Sequence, residues 1–174
     1  MKSVLFCLVF LTFSLAAISQ NQTGLEWLSI QEASKRNAKV PKKIFIDIYT
    51  NWCGWCKKMD ATTFENPDIV AYMNKNYYSV KLNAEIQDTI MFEGKPFVFR
   101  PEMKKHELAM AFLNNDVKGY PSCAILDEKL AVITNHAGYL TAPQIEPLLK
   151  FFGDDKYKTE NWADYQKNFQ GTVK

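Results

Sequence analysis

The apolar run Ile44-Phe45-Ile46-Asp47-Ile48-Tyr49 leads almost directly into Trp52-Cys53-Gly54-Trp55-Cys56-Lys57. This junction constrains the chain more than any other stretch. A β-branched and aromatic run of this length reads as a strand buried on both faces, Lys43–Tyr49. A strand that ends in Cys-x-x-Cys and turns into a helix puts its first sulfur at the helix N-terminus. The unpaired backbone N–H groups and the helix dipole there favour negative charge. A thiolate, not a thiol, attacks disulfides, so this placement points to thiol–disulfide chemistry. Lowering a thiol pKa from about 8.5 to about 7 raises the ionised fraction at neutral pH from a few per cent to about half, a shift of about 2 kcal/mol.

The N-terminus supplies the compartment. Lys2 precedes an apolar stretch, Val4–Leu15, interrupted only by Thr12 and Ser14, and Ala17-Ile18-Ser19 offers small residues for cleavage before Gln20. We read residues 1–19 as a signal peptide and the protein as exported, periplasmic or secreted. The stretch is shorter than the roughly 20 residues of a spanning helix, so no stable membrane insertion is expected after cleavage. Cys7 lies inside this stretch with no small-residue lipobox before it, and is not read as a lipid attachment site. Residues 20–174 form one domain-sized unit with an ordinary apolar fraction (47% over the whole chain). The formal net charge of +2 carries no basic block or stripe, which argues against a nucleic-acid partner.

Beyond the leader the cysteines are Cys53, Cys56 and Cys123, an odd number that does not build a disulfide scaffold. The short loop between Cys53 and Cys56 gains little from closure as a staple. A zinc site would need a second ligand pair, and the histidines His106 and His136 are far apart, so no metal is expected. Cys123 lies in an apolar strand and reads as a buried, inert thiol.

The remaining pattern predicts an amphipathic helix over Leu25–Lys39, a helix from Cys53 to about Ala61, and another over Pro67–Asn76 with Asn66 as its cap. A strand Tyr77–Leu82 follows. The segment 86–105 reads as an insert holding a β-hairpin turned at Glu93-Gly94-Lys95. A short helix His106–Leu113 precedes strands Ser122–Leu126 and Leu130–Thr134. The helix Thr141–Phe152 tolerates Pro143 in its first turn but should kink or begin late at Pro147. A C-terminal helical extension, about 154–174, ends in a helix over Trp162–Phe169. Helices between the early strands imply parallel pairing and the short last link an antiparallel pair, hence an α/β fold with a mixed central sheet flanked by helices.

Four features together resemble the thioredoxin superfamily, in particular the secreted or periplasmic bacterial thioredoxin-like proteins. Trp52-Cys53-Gly54-Trp55-Cys56-Lys57 is similar to the family's Trp-Cys-Gly-Pro-Cys-Lys, with Trp55 replacing proline. Asp47 stands six positions before Cys53, where thioredoxins carry a buried acid. Gly119-Tyr120-Pro121-Ser122 resembles the cis-proline segment, and Gly138 the glycine after the last strand. The resemblance implies a thioredoxin-like fold with the hairpin insert before the cis-proline segment. It implies a protein-disulfide oxidoreductase with no organic cofactor, reductase favoured over oxidase. Cys53, on an exposed first turn, would attack, and the more buried Cys56 would resolve the mixed disulfide. Asp47 would handle the Cys56 proton. Trp52, Trp55, Tyr120 and Pro121 would bind substrate, the Tyr120 backbone pairing with an extended segment. The implied partners are protein disulfides or dithiols and a protein that resets the pair, with the chain itself a monomer. Two other readings use the same residues. One is a redox-idle binding or chaperone module that holds protein partners on Trp52, Trp55 and Tyr120. The other is a copper or zinc carrier using the dithiol.

Overall fold

The computed structural model describes residues 24–173, so the leader expected over residues 1–19 lies outside the described residues. Its centre is a five-stranded sheet. β1 (Trp27–Leu28), β2 (Lys43–Tyr49) and β3 (Tyr77–Asn83) run parallel, with β3 between the other two. β8 (Ser122–Leu126) lies antiparallel to β2, and β9 (Val132–Ala137) antiparallel to β8 at the sheet edge. The mixed sheet expected from the sequence is therefore present.

β2 is central, and both of its faces are buried. Ile44, Ile46 and Ile48 point to one layer and Phe45 to the other, and all four are fully buried. The first layer holds α1 (Ile30–Asn37) and α4 (Glu107–Phe112), with Ile90 and Phe92 of the insert. The second holds α2 (Gly54–Thr62), α3 (Pro67–Asn76) and α5 (Ala142–Gly153). There Phe45 meets Phe64 edge-on at 5.9 Å, and Phe64 meets Trp27 at 5.0 Å. Truncating a fully buried isoleucine such as Ile46 to alanine costs about 2–5 kcal/mol.

Several boundaries differ from expectation. The helix expected over Leu25–Lys39 occupies only Ile30–Asn37, because Ser29 caps it by accepting the Glu32 N–H at 3.1 Å and Trp27–Leu28 join the sheet as β1. α3 starts as expected, with Asn66 Oδ1 accepting from the N–H groups of Asp68 and Ile69 and Pro67 in its first turn. The hairpin β4 (Ile90–Phe92) with β5 (Lys95–Phe97) turns at Glu93-Gly94, both at positive φ (48° and 74°), as two-residue hairpin turns require. A second small hairpin, β6 (Phe99–Arg100) with β7 (Lys105–His106), was not expected. β9 begins at Val132 rather than Leu130, since Leu130 sits at φ 66° in the turn. α5 runs through Pro147 as one helix, where a kink or a late start was expected. After a 3₁₀ turn (Lys156–Lys158), α6 (Trp162–Asn168) packs Trp162 and Tyr165 on Phe151, at 5.2 and 4.9 Å.

Candidate active site

Cys53 and Cys56 are joined as a disulfide at the start of α2, with their Cα atoms 5.3 Å apart. Cys53 is the N-cap of α2. Its Sγ accepts the Cys56 N–H at 3.0 Å, and its own N–H donates to the Thr50 carbonyl at 3.2 Å. The sulfur thus takes the place an oxygen usually fills at a helix start. In the reduced form the same amide and the helix dipole favour a thiolate at Cys53. The expected contrast in exposure is absent: Cys53 is 4% exposed and Cys56 3%. The flanking indoles carry the exposed surface instead, Trp52 at 67% and Trp55 at 56%. What separates the two cysteines is the N-cap position of Cys53, not access.

The Tyr120–Pro121 peptide bond is cis. The Ser122 hydroxyl donates to the Gly119 carbonyl at 2.7 Å, which closes the turn around the proline. Gly138, at φ 111°, donates its N–H to the Pro121 carbonyl at 2.8 Å, so the glycine permits a backbone conformation that L side chains rarely adopt. Among the described residues neither backbone group of Tyr120 makes a backbone–backbone hydrogen bond. The ring of Tyr120 meets Trp52 edge-on at 6.0 Å. Trp52 Nε1–H lies 3.0 Å from both carboxylate oxygens of Glu85. On the other side Trp55 packs against Tyr139 at 5.3 Å, and Lys58 Nζ lies over both rings, at 4.9 and 5.5 Å.

Asp47 is 2% exposed, on the same face of β2 as Phe45 and therefore toward the layer that contains α2. Its register partners are Lys81 on β3 and Cys123 on β8. Lys81 Nζ pairs with Asp47 Oδ2 at 3.1 Å and also contacts Asp60 of α2. Burial pushes the Asp47 carboxyl up, the Lys81 charge only partly offsets it, and the group titrates at about 6. Burial would lower Lys81, but Asp47 and Asp60 outweigh it and its pKa is raised. Cys123 is a free, buried thiol pushed up to about 12, by burial first and then by the Asp47 charge.

Lys81, Asp60, Glu85, Tyr139 and Lys58 were not singled out from sequence. One signal was available for Lys81: a lysine in the apolar strand Val80-Lys81-Leu82 needs a buried counter-charge. Asp60 and Glu85 had none, because their contacts depend on how α2 and the segment after β3 pack.

A family described as Thioredox_DsbH, protein of unknown function (DUF255), matches residues 14–93, less than half of the chain. An uncharacterized protein of Archaeoglobus fulgidus is 29% identical over 92 residues, which cover 51% of this chain and 72% of that protein. Two longer curated relatives, from Caenorhabditis elegans and Rattus norvegicus, are matched over only 12% and 7% of their length. Among solved structures, a thioredoxin-fold protein of Helicobacter pylori superposes with a TM-score of 0.57 at 17% identity, covering 81% of this chain and 82% of that one. A DsbH oxidoreductase superposes with a TM-score of 0.53 at 16% identity, covering 79% and 87%. The architecture is thus the thioredoxin fold.

Proposed function

We propose that this protein, a member of the thioredoxin superfamily, is a thiol–disulfide oxidoreductase that exchanges disulfides with protein substrates through Cys53 and Cys56. The observation that carries the reading is the Cys53 sulfur capping α2, flanked by two exposed indoles of which Trp52 packs on Tyr120 of the cis-proline segment. In this reading the cycle runs as follows. In the reduced protein the Cys53 thiolate attacks one sulfur of a substrate disulfide, forming a mixed disulfide and releasing the other sulfur as a thiolate. Cys56 gives its proton to the Asp47 carboxylate, and its thiolate attacks Cys53 Sγ. The second substrate sulfur leaves as a thiolate. The substrate has gained two electrons, and the pair is left as the Cys53–Cys56 disulfide seen here. A carboxyl that titrates at about 6 suits a proton acceptor near neutral pH.

Trp52, Trp55 and Tyr120 form the substrate surface in this reading, with the free Tyr120 backbone pairing with an extended substrate segment. Further turnover needs a dithiol partner that reduces the pair. Export is supported by the leader-like pattern of residues 1–19. No described helix is long and apolar enough to cross a membrane. Insulin reduction by the mature chain, driven by a small dithiol, tests the reading. Wild type is expected to precipitate insulin chains, and Cys53→Ser to fall to the background rate of the small dithiol. Wild type no faster than that background, or Cys53→Ser as active as wild type, rejects it.

A further inference from the structure

Lys81 sits in a cage. Its ammonium contacts Asp47 from β2 and Asp60 from α2, and lies 5.0 Å from the centre of each of the Trp27 and Tyr49 rings. The two carboxylates differ in surroundings. Asp47 is buried among the packed side chains of the sheet, while the Asp60 side chain is 41% exposed. One cation therefore serves an acid that has little else and an acid that water also solvates. Asp60 lies one helical turn after Cys56, so the same contact fastens the redox helix to the β2–β3 pair beneath it.

We infer that Asp60 is a positioning residue for Asp47: by sharing the Lys81 ammonium it withholds part of that charge from Asp47 and so keeps the buried acid able to take a proton. This deepens the proposed reaction and rests on the reading of Asp47 as its proton acceptor. A cation near a buried carboxylate favours the ionised form, and a second anion on that cation weakens the effect. With Asp60 neutral, Lys81 would turn wholly to Asp47 and hold it as a carboxylate at lower pH. The other groups on this face leave the prediction clear. Cys123 of β8 is un-ionised near neutral pH, and His136 stands one strand further along the row, paired in register with Cys123. α3 and α5 present Ile69, Met73, Ile145 and Leu149. Cys56 of α2 does not titrate while the disulfide is intact.

The test is the ¹³C NMR titration of the Asp47 carboxyl carbon in the full chain, in its disulfide form. Asp60→Asn is expected to lower the midpoint by about 0.5–1 pH, and Asp60→Glu to restore it. Lys81→Met is expected to raise it. Asp60→Asn added to Lys81→Met should then move it far less than Asp60→Asn alone, because the shared cation is gone. An unmoved midpoint in Asp60→Asn, even with a lowered Tm, overturns the inference, as does an equal shift with and without Lys81. As a second readout, the pH dependence of insulin reduction should move with the midpoint. The carboxyl titration needs no turnover, so inactive wild type would reject the proposed reaction while the midpoint still decides the role of Asp60.

Discussion

Asp47 and Glu146 are both 2% exposed, yet their proton affinities move in opposite directions. Asp47 has one shared lysine, and burial leaves it titrating at about 6. Glu146, on α5, is also pushed up by burial, but its donors overcome that and hold it at about 2. Lys150 Nζ donates at 2.7 Å, the Thr172 hydroxyl at 2.7 Å, and the N–H groups of Thr172 and Val173 at 3.0 and 3.1 Å. Exposure is equal, but Asp47 lies deep beneath the sheet and Glu146 near the surface, so a smaller desolvation cost and a larger number of donors together decide. A carboxylate ringed by donors is a structural fastening, here for the C-terminal tail. One left short of donors remains free to exchange a proton.

The contrast breaks first at Asp47. Its folded pKa of about 6 lies above the ordinary 3.8, so the stability it contributes is full below about pH 4 and is lost as pH rises through 6. At pH 7 the buried anion weighs against the fold by about 3 kcal/mol. Asp47→Asn should therefore be more stable than wild type by up to about that amount at pH 7, with the gap closing toward pH 4, as urea unfolding at several pH values would show. The same variant should slow disulfide exchange by about 10²-fold through loss of the proton acceptor. A destabilised Asp47→Asn at pH 7 would put Asp47 in the same class as Glu146.

Glu146 carries the opposite sign. Its folded pKa of about 2 lies below the ordinary 4.5, so its contribution is full above about pH 4.5 and is lost as pH falls through 2. Glu146→Gln should lose about 2 kcal/mol at neutral pH, with the difference from wild type fading toward pH 2. The tail amides of Thr172 and Val173 should exchange hydrogen faster in that variant. Thr172→Ala sharpens the comparison at smaller scale. It removes one donor of several and should cost about 1 kcal/mol by the same unfolding measurement, leaving insulin reduction unchanged.

Much of this architecture was legible where the cause is local. The β2 run, the Asn66-Pro67 start of α3 and the Glu93-Gly94 turn each carry their own signals. The Cys-x-x-Cys after a strand did the same for the site. Long-range pairing was not legible. Trp27 and Leu28 fit a helix pattern, and only the edge of β3 makes them a strand. The low exposure of Cys53 depends on packing around the disulfide that the motif does not encode. Lys150 lies one turn from Glu146 and so was visible in principle, but the tail donors are 26 and 27 residues away and required the chain to fold back. Asp60 meets Lys81 across 21 residues for the same reason.

Cys123 has a practical consequence. A thiol buried in the sheet and pushed up to about 12 offers almost no reactive form to an alkylating reagent under native conditions. Mass tagging of the folded mature protein should therefore give a binary readout, with no adduct when the pair is closed and one, on the N-cap thiolate of Cys53, when it is open. The third sulfur adds no background, so the occupancy of each redox form can be followed by intact mass throughout a reaction, without mutating any residue.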